Sequence, residues 1–350
     1  MAIFGGNGVG VDLGTAYTSI YLSSEEKVVL REPTSVLVSA RSLTDVLAVG
    51  TDAREMSGRT AEDTELIAPL ERGCVSEVEL TALLLVALCE KAVGRKKPLE
   101  KATLLCSIPA GASHVCRSAL FQAMTGTGAK RIASIKAPVA AALGAGLNIE
   151  EPKGLMQINL GAGVTELSVL SMSGVVAQRT LPMGGETMDE DIVRWFWREK
   201  GIIIGMRTAE QLKRELGTAL PEEEDEEDDP VLVKGKEAAT GRPTAVETTS
   251  QDVRRALEES IRRIVDSIRN ALYNIPPELS VDVMEKGVHL SGGGALLCGL
   301  AGRLEKETGV PVVLSEHPQR DAILGVGAVV SDERLLSRLE HAGAVDMTGD

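Results

Sequence analysis

The chain has 350 residues, of which 43% are hydrophobic and only 2% aromatic, and its formal net charge is −14. That length exceeds what a single core serves well, so two lobes with aliphatic interiors are expected. The negative balance argues against a nucleic-acid binder, which needs a basic face, and there is no apolar run of about eighteen residues to span a membrane.

In chain order, residues 9–22 and 27–38 read as strands around a turn at Gly14, followed by a helix over 81–95. A buried strand over 101–110 ends at Pro109, a second helix covers 113–128, and Pro138 opens a small-residue helix over 138–147. The pattern then restarts. Residues 154–185 read as strand, turn, strand, hairpin and strand, and helices follow at 186–200 and 207–219. The run "EEEDEEDD" (222–229) concentrates eight acids and reads as a solvated loop, and 233–249 reads as a surface excursion or short hairpin. Residues 250–274 form a long amphipathic helix, with Ser250 as its expected N-cap and two prolines closing it. Residues 287–315 read as strand, glycine turn, helix and strand. Strands alternating with amphipathic helices give an α/β fold.

The five cysteines (74, 89, 106, 116 and 298) show no CxxC spacing and are expected as free buried thiols in a reducing cytosol. The four histidines (114, 289, 317 and 341) are scattered and pair with no cysteine at ligand spacing, so no His/Cys metal site is expected. "MAIFGGNG" lacks the basic start and apolar run of a signal peptide, which favours a cytoplasmic protein.

"VGVDLGTAYTSI" (9–20) and "MQINLGAGVTEL" (156–167) are an internal repeat, with Asp12 in the first where the second has Asn159. A third glycine turn, "SGGGALL" (291–297), also follows an apolar strand. Glycine lets backbone amides turn toward an anion with no Cβ in the way, so three such turns point to phosphate binding. The third turn is expected to open a helix, whose N-terminus would add to the attraction. None fits GxxxxGK[ST] or GxGxxG, so neither a P-loop nor a Rossmann dinucleotide site is supported.

These turns, together with "AVGTDAREMSGRTAED", "APVAAALGAGL", "GGETMDEDIV", "RTAEQLKRELGTA" and "ETGVPVVLSEHPQRDAILGVG", resemble the MreB family of bacterial actins over nearly the whole chain. The family lies within the actin/Hsp70/sugar-kinase superfamily. The resemblance implies an actin-like ATPase fold of two lobes, each with a ribonuclease-H-like core and a smaller subdomain. Lobe I would span 1–147, with its subdomain at about 33–75. Lobe II would span 148–330, with its subdomain at about 186–250, and 331–350 would pack on lobe I or form a tail.

The resemblance also implies roles. ATP or ADP with magnesium would sit in the cleft, Gly14, Thr15 and Ala16 cradling phosphates and Asp12 handling the metal through water. Gly161, Ala162 and Gly163 would form the second phosphate turn. Glu210, Gln211, Leu212 and Lys213 would contact ribose and base, and Gly292, Gly293, Gly294 and Ala295 the adenosine and α-phosphate. Partners implied are further copies of the chain in a filament, the inner face of the membrane and envelope-synthesis or morphogenesis proteins. Attachment would use "MAIFGG" or the loop "GRKKPLEK" (94–101), where Leu99 is the one apolar insert.

The departures from the family pattern gather on the hydrolytic side. A family Asp that helps hold magnesium is Asn159. The Glu that orients the attacking water, second in Glu-Glu-Pro, is Ala137, preceded by Lys136, a candidate positive charge near the γ-phosphate. A Thr after the second turn is Val164, and an Asn beside the first turn is Tyr17. Losing a water-orienting carboxylate typically costs roughly 10²–10⁴-fold in rate. The expectation is therefore a nucleotide-binding, filament-forming protein with slow or absent hydrolysis. A non-polymerising adaptor of the same fold is the alternative. A sugar kinase is disfavoured because no acid stands at 136–138 to activate a hydroxyl, and a chaperone because no substrate-binding domain follows.

Overall fold

The computed structural model describes residues 8–56, 63–220 and 229–347. The first half opens with the meander β1 (Gly8–Leu13), β2 (Tyr17–Leu22) and β3 (Lys27–Pro33). It continues through β4 (Val36–Ser39), β5 (Ser42–Val49), α1 (Gly50–Met56), β6 (Thr64–Ile67) and the short hairpin β7 (Leu70–Glu71) and β8 (Cys74–Val75). Then come α2 (Val78–Val93), β9 (Thr103–Ile108), α3 (His114–Gly126), β10 (Arg131–Lys136) and α4 (Ala137–Gly144).

The second half repeats the opening with β11 (Leu155–Leu160), β12 (Thr165–Ser171) and β13 (Gly174–Leu181). Next are α5 (Gly185–Trp195), which runs into a π turn at Phe196–Lys200, β14 (Ile202–Ile203), α6 (Met206–Leu216), β15 (Val231–Glu237) and β16 (Pro243–Thr248). The chain then forms α7 (Ser250–Tyr273), α8 (Pro277–Lys286), β17 (Val288–Ser291), a 3-10 turn at Gly293–Leu296, α9 (Leu300–Thr308) and β18 (Val312–Leu314). It closes with α10 (Asp321–Ser331), α11 (Glu333–His341) and β19 (Val345–Asp346).

Two large sheets carry the architecture, in the orders β19-β10-β9-β1-β2-β3 and β13-β12-β11-β17-β18. Each has an antiparallel meander on one side and parallel strands on the other, because β1 pairs parallel with β9 as β11 does with β17. The internal repeat is thus a repeat of topology. Two small sheets, β5-β4-β6 and β14-β15-β16, are the outer additions, one inserted in each half.

The aliphatic cores follow from the burial patterns. One cluster fills the second half around Ile158, Leu257, Ile261 and Leu290, and another fills the first half around Val11, Leu84, Leu104 and Met124. A third joins them, with Ile135 and Val139 from the first half packed with Leu155, Leu170, Ile323 and Val326. Helices α4 and α10 cross very closely here. A Cβ at Gly144 would run into the Asp321 carbonyl, and one at Gly325 into the Ala140 carbonyl. Strand β19 then adds antiparallel to β10, which ties the chain's last described residues to the first sheet.

Several expectations need correction. Cys74 and Cys116 form a disulfide between the β7–β8 hairpin and α3, and Cys298 is exposed, so only Cys89 and Cys106 are buried free thiols. The N-cap of α7 is Thr249, not Ser250: its hydroxyl accepts from the Asp252 N–H while Asp252 accepts from the Thr249 N–H. The third glycine turn opens only a four-residue 3-10 turn, with α9 starting at Leu300, so no long helix aims its N-terminus there. Leu99 is 2% exposed and packed in the first-half core, so it is no membrane insert. "MAIFGG" and all but the last residue of the acidic run lie outside the described residues. Among the described residues no helix is long and apolar enough to cross a membrane.

Candidate functional site: a cleft between two matched glycine turns

Strands β1 and β2 pair with Leu13 opposite Thr18, which leaves a tight turn closed by a hydrogen bond from the Gly14 N–H to the Tyr17 carbonyl, 3.1 Å. The turn is braced from below. Thr34 donates to the Gly14 carbonyl at 2.7 Å, and its hydroxyl shares a 2.9 Å hydrogen bond with Thr18. Asp12 is the last acid before the turn. Ser107 at the end of β9 donates to its carboxylate at 2.6 Å and accepts from the Leu13 N–H at 3.3 Å. Burial raises the Asp12 carboxyl above the ordinary range, with Ser107 and the Arg31 charge pulling the other way.

The second turn is built the same way, with Leu160 opposite Thr165 and the Gly161 N–H bonded to the Val164 carbonyl at 2.9 Å. Thr165, fully buried, donates to the Met183 carbonyl at 2.9 Å. The start of α5 closes on the turn through bonds from the Gly185 and Glu186 N–H groups to the Gly161 and Ala162 carbonyls, 3.0 and 2.9 Å.

The two turns meet. A Cβ at Gly163 would stand 2.6 Å from the Thr15 hydroxyl and 2.9 Å from the Arg72 Cα, so only glycine fits. Thr15 in turn accepts from the Gly73 N–H at 3.0 Å, and Val164 packs over Gly73. The third turn abuts the second: Gly292, at φ +89°, has the Leu160 carbonyl and the Asn159 amide oxygen where a Cβ would go. Gly293 is exposed, Gly294 lies against Leu160 and Ala295 is 2% exposed.

From α6, Lys213 donates to the Gly185 carbonyl at 2.6 Å and pairs with Asp189 at 2.8 Å, which fixes the helix to the second turn. Burial pushes Asp189 up to about 6 against the pull of that lysine. Glu210 is half-buried beside Arg214, whereas Gln211 is exposed and bonded to Glu215. Leu212 lies in the second-half core, so its side chain packs inward.

The candidate hydrolytic positions are disposed as follows. Ala137 is buried at the first residue of α4, a methyl group with nothing to orient water. Lys136 lies beside Arg117 of α3, and burial together with that charge keeps its ammonium below the usual range. Asn159 stands directly opposite Glu166 across the β11–β12 pair.

Glu166 was not among the sequence candidates. It is 2% exposed, accepts from the Ala110 N–H of the opposite lobe at 2.7 Å, and is pushed up to about 7 by burial and by the nearby Asp12 charge. Its one sequence signal is that it is the single charged residue of its strand. A cavity of about 220 Å³ lined by Gln157, His289, Ser315 and Asp321 includes no residue of the glycine turns.

Comparison with known proteins agrees with this geometry. The family model described as MreB/Mbl protein matches residues 6–338. The chain is 38% identical to the cell shape-determining protein MreB of Escherichia coli (strain K12) over 315 residues, 89% of this chain and 90% of that one. It is 35% identical to the cell shape-determining protein Mbl of Bacillus subtilis (strain 168) over 324 residues, 93% of this chain and 96% of that one. Among solved structures, MreB 5 of Spiroplasma citri bound to AMPPNP superposes with a TM-score of 0.87 at 27% identity, covering 97% of this chain and 99% of that one. A MamK double helical filament subunit, 20% identical, matches in fold with a TM-score of 0.75 over 93% of this chain and 98% of its own.

Proposed function

The chain belongs to the MreB/Mbl family of actin-like proteins, and from that premise we propose that it binds ATP with magnesium in the interlobe cleft. It assembles with copies of itself into filaments that organise cell shape or envelope growth, and it hydrolyses the nucleotide slowly or not at all. One observation carries the reading: two topologically matched lobes bring three glycine turns and Lys213 to one cleft, with Asp12 at its floor.

The residues present fit the nucleotide and the metal. Small-residue turns after a strand can present backbone N–H groups to phosphate oxygens. Asp12 and Glu166 are two neighbouring buried carboxyls, both held above their ordinary range by burial. Magnesium would supply the positive charge that this pair lacks, and Asp12 would hold it through water. The solved relatives bound to AMPPNP and to ADP, and the filament formed by MamK, support extending both properties to this chain.

Slow hydrolysis rests on Ala137, which can neither accept a proton nor position water. Asn159 brings no negative charge to the metal side, and Val164 puts an apolar branch beside Gly73. We infer further that these filaments act in the cytoplasm at the inner face of the membrane with envelope-synthesis proteins as partners, a reading supported by the cell shape-determining role in the names of the relatives. Attachment through 94–101 is not part of this reading, since Leu99 is buried.

The test is electron microscopy of the purified protein with and without ATP and magnesium, alongside phosphate release. Filaments with little release are expected. A monomer that retains ATP would favour an adaptor, and turnover matching that of its MreB relative from Escherichia coli would remove the claim of slow hydrolysis.

A further inference from the structure

The five cysteines are not alike. Cys74 and Cys116 are bonded to each other, Cys89 and Cys106 are buried free thiols, and Cys298 is exposed. The bond joins two elements of the first half: Cys74 opens β8 beside the tip of the β7–β8 hairpin, and Cys116 lies in the first turn of α3. A hairpin with two-residue strands has little holding power of its own. Its tip consists of Arg72 at φ +49° and Gly73 at φ +76°. An arginine in the left-handed region is a conformation that the surroundings must maintain.

That tip is part of the cleft. The Gly73 N–H donates to the Thr15 hydroxyl of the first turn at 3.0 Å. A Cβ at Gly163 of the second turn would stand 2.9 Å from the Arg72 Cα, and Val164 packs over Gly73. The two residues before Cys74 therefore touch both phosphate turns, and the disulfide ties them to α3.

The bond is also placed for exchange. Cys74 is half-buried and Cys116 is buried, so an incoming thiolate meets the Cys74 sulfur first. Cys116 then leaves as a thiolate at the N-terminal turn of a 13-residue helix, where the helix dipole favours negative charge. A dithiol reductant completes the step. Its first sulfur forms a mixed disulfide with Cys74 as the Cys74–Cys116 bond breaks, and its second sulfur displaces Cys74. Two electrons pass from the dithiol to the protein disulfide, its two protons end on the two cysteines, and the reductant departs as its own disulfide.

We propose that the Cys74–Cys116 bond is a redox switch of the nucleotide cleft: oxidised, it tethers the hairpin tip against the two phosphate turns, and reduced by a dithiol, it frees the tip from Thr15 and Gly163 and speeds nucleotide release. The switch rests on the nucleotide reading above and adds its regulation. The cytoplasmic setting of that reading supplies the reductant, and disulfides in such a compartment are typically transient and redox-sensing.

Two measurements on the full chain, each in the oxidised and the reduced form, test it. Trypsin cleavage after the exposed Arg72 reads the freedom of the tip without reference to nucleotide. Chase of a fluorescent ribose-labelled ATP, bound with magnesium, reads release from the cleft. Reduction is expected to speed both about fivefold, the equivalent of one ordinary hydrogen bond, with unchanged circular dichroism and full reversal on reoxidation. Cys74→Ser should match the reduced form in either buffer, and Cys298→Ser should respond as the wild type does. Unchanged rates in both assays, or a change in only one, would overturn the switch and leave the nucleotide reading standing. A response abolished in Cys298→Ser would assign the effect to another thiol, and loss of native circular dichroism on reduction would make the bond purely structural; either overturns the switch. No binding of millimolar labelled ATP by either form would remove the nucleotide reading and the switch with it.

Discussion

The two glycine turns share a backbone and differ in where each keeps its acid. Asp12 faces Ser19 across the first hairpin, and Asn159 faces Glu166 across the second, at equivalent register. The second hairpin has therefore not lost its carboxyl; it carries one on the outgoing strand, where Glu166 accepts from the Ala110 N–H of the other lobe. A group at that point joins the lobes and sits within electrostatic reach of Asp12. Lobe I keeps its acid on the incoming strand, bonded to Ser107 of the same lobe, and lobe II holds an acid that works as a fastener. The first turn is further pinned by a disulfide on its flanking hairpin and by Tyr17, for which the second turn has Val164 and no cross-link.

The largest expected effect sharpens the asymmetry of covalent support. The Cys74–Cys116 bond closes a loop with a sequence separation of 42. Reduction, or Cys74→Ser with Cys116→Ser, should cost about 4 kcal/mol of unfolding free energy by the loop-entropy relation. Urea titration in oxidising and reducing buffer reads this directly, and identical curves would mean that the bond adds nothing.

Next in size is the fastener's acid. Glu166 is raised from 4.5 to about 7, so the folded chain keeps its proton to higher pH than the unfolded chain does. Between those values the native state binds more protons, and stability falls as pH rises, by about 3 kcal/mol at most. Glu166→Gln should flatten that slope in urea melts without magnesium between about pH 4.5 and 7.5. A wild-type-minus-variant difference that stays constant over the range would show that Glu166 does not titrate as a buried acid.

The missing metal-side and water-orienting acids define the third test. Ala137→Glu combined with Asn159→Asp should raise phosphate release on the order of 10²-fold if those positions limit hydrolysis. An unchanged rate would place the block elsewhere in the cleft.

The smallest effect probes what the turns have in common. Thr18 and Thr165 are both fully buried and hydrogen-bonded at 2.9 Å, one to Thr34 and one to the Met183 carbonyl. Thr18→Val and Thr165→Val should each cost about 1 kcal/mol by removing one buried hydrogen bond. Unequal losses in thermal or urea melts would break the equivalence of the two hairpins.

Much of this architecture is legible from local pattern. A strand, a small-residue turn and a second strand recur with matching letters, and the fold repeats its topology to match. The turns could be read because glycine signals its backbone role wherever it stands. Leu212 and Leu99 were harder, since a leucine in a motif says nothing about which face it occupies, and both are in cores. Glu166 escaped notice for a related reason. Its value depends on Ala110, 56 positions away in the chain, and on Asp12 across the cleft.

By itself the sequence determined the α/β class, the three glycine turns, the paired halves and the replacements at positions 17, 137, 159 and 164. Those are properties of residue type and short spacing, which act through local backbone preference and hydrophobic periodicity. Only the tertiary structure decided that the turns touch at Gly163 and Thr15, that Cys74 bonds Cys116 and that Glu166 fastens one lobe to the other. Each of those contacts joins residues far apart in the chain, so its energy depends on how the lobes pack and leaves no periodic trace in the letters.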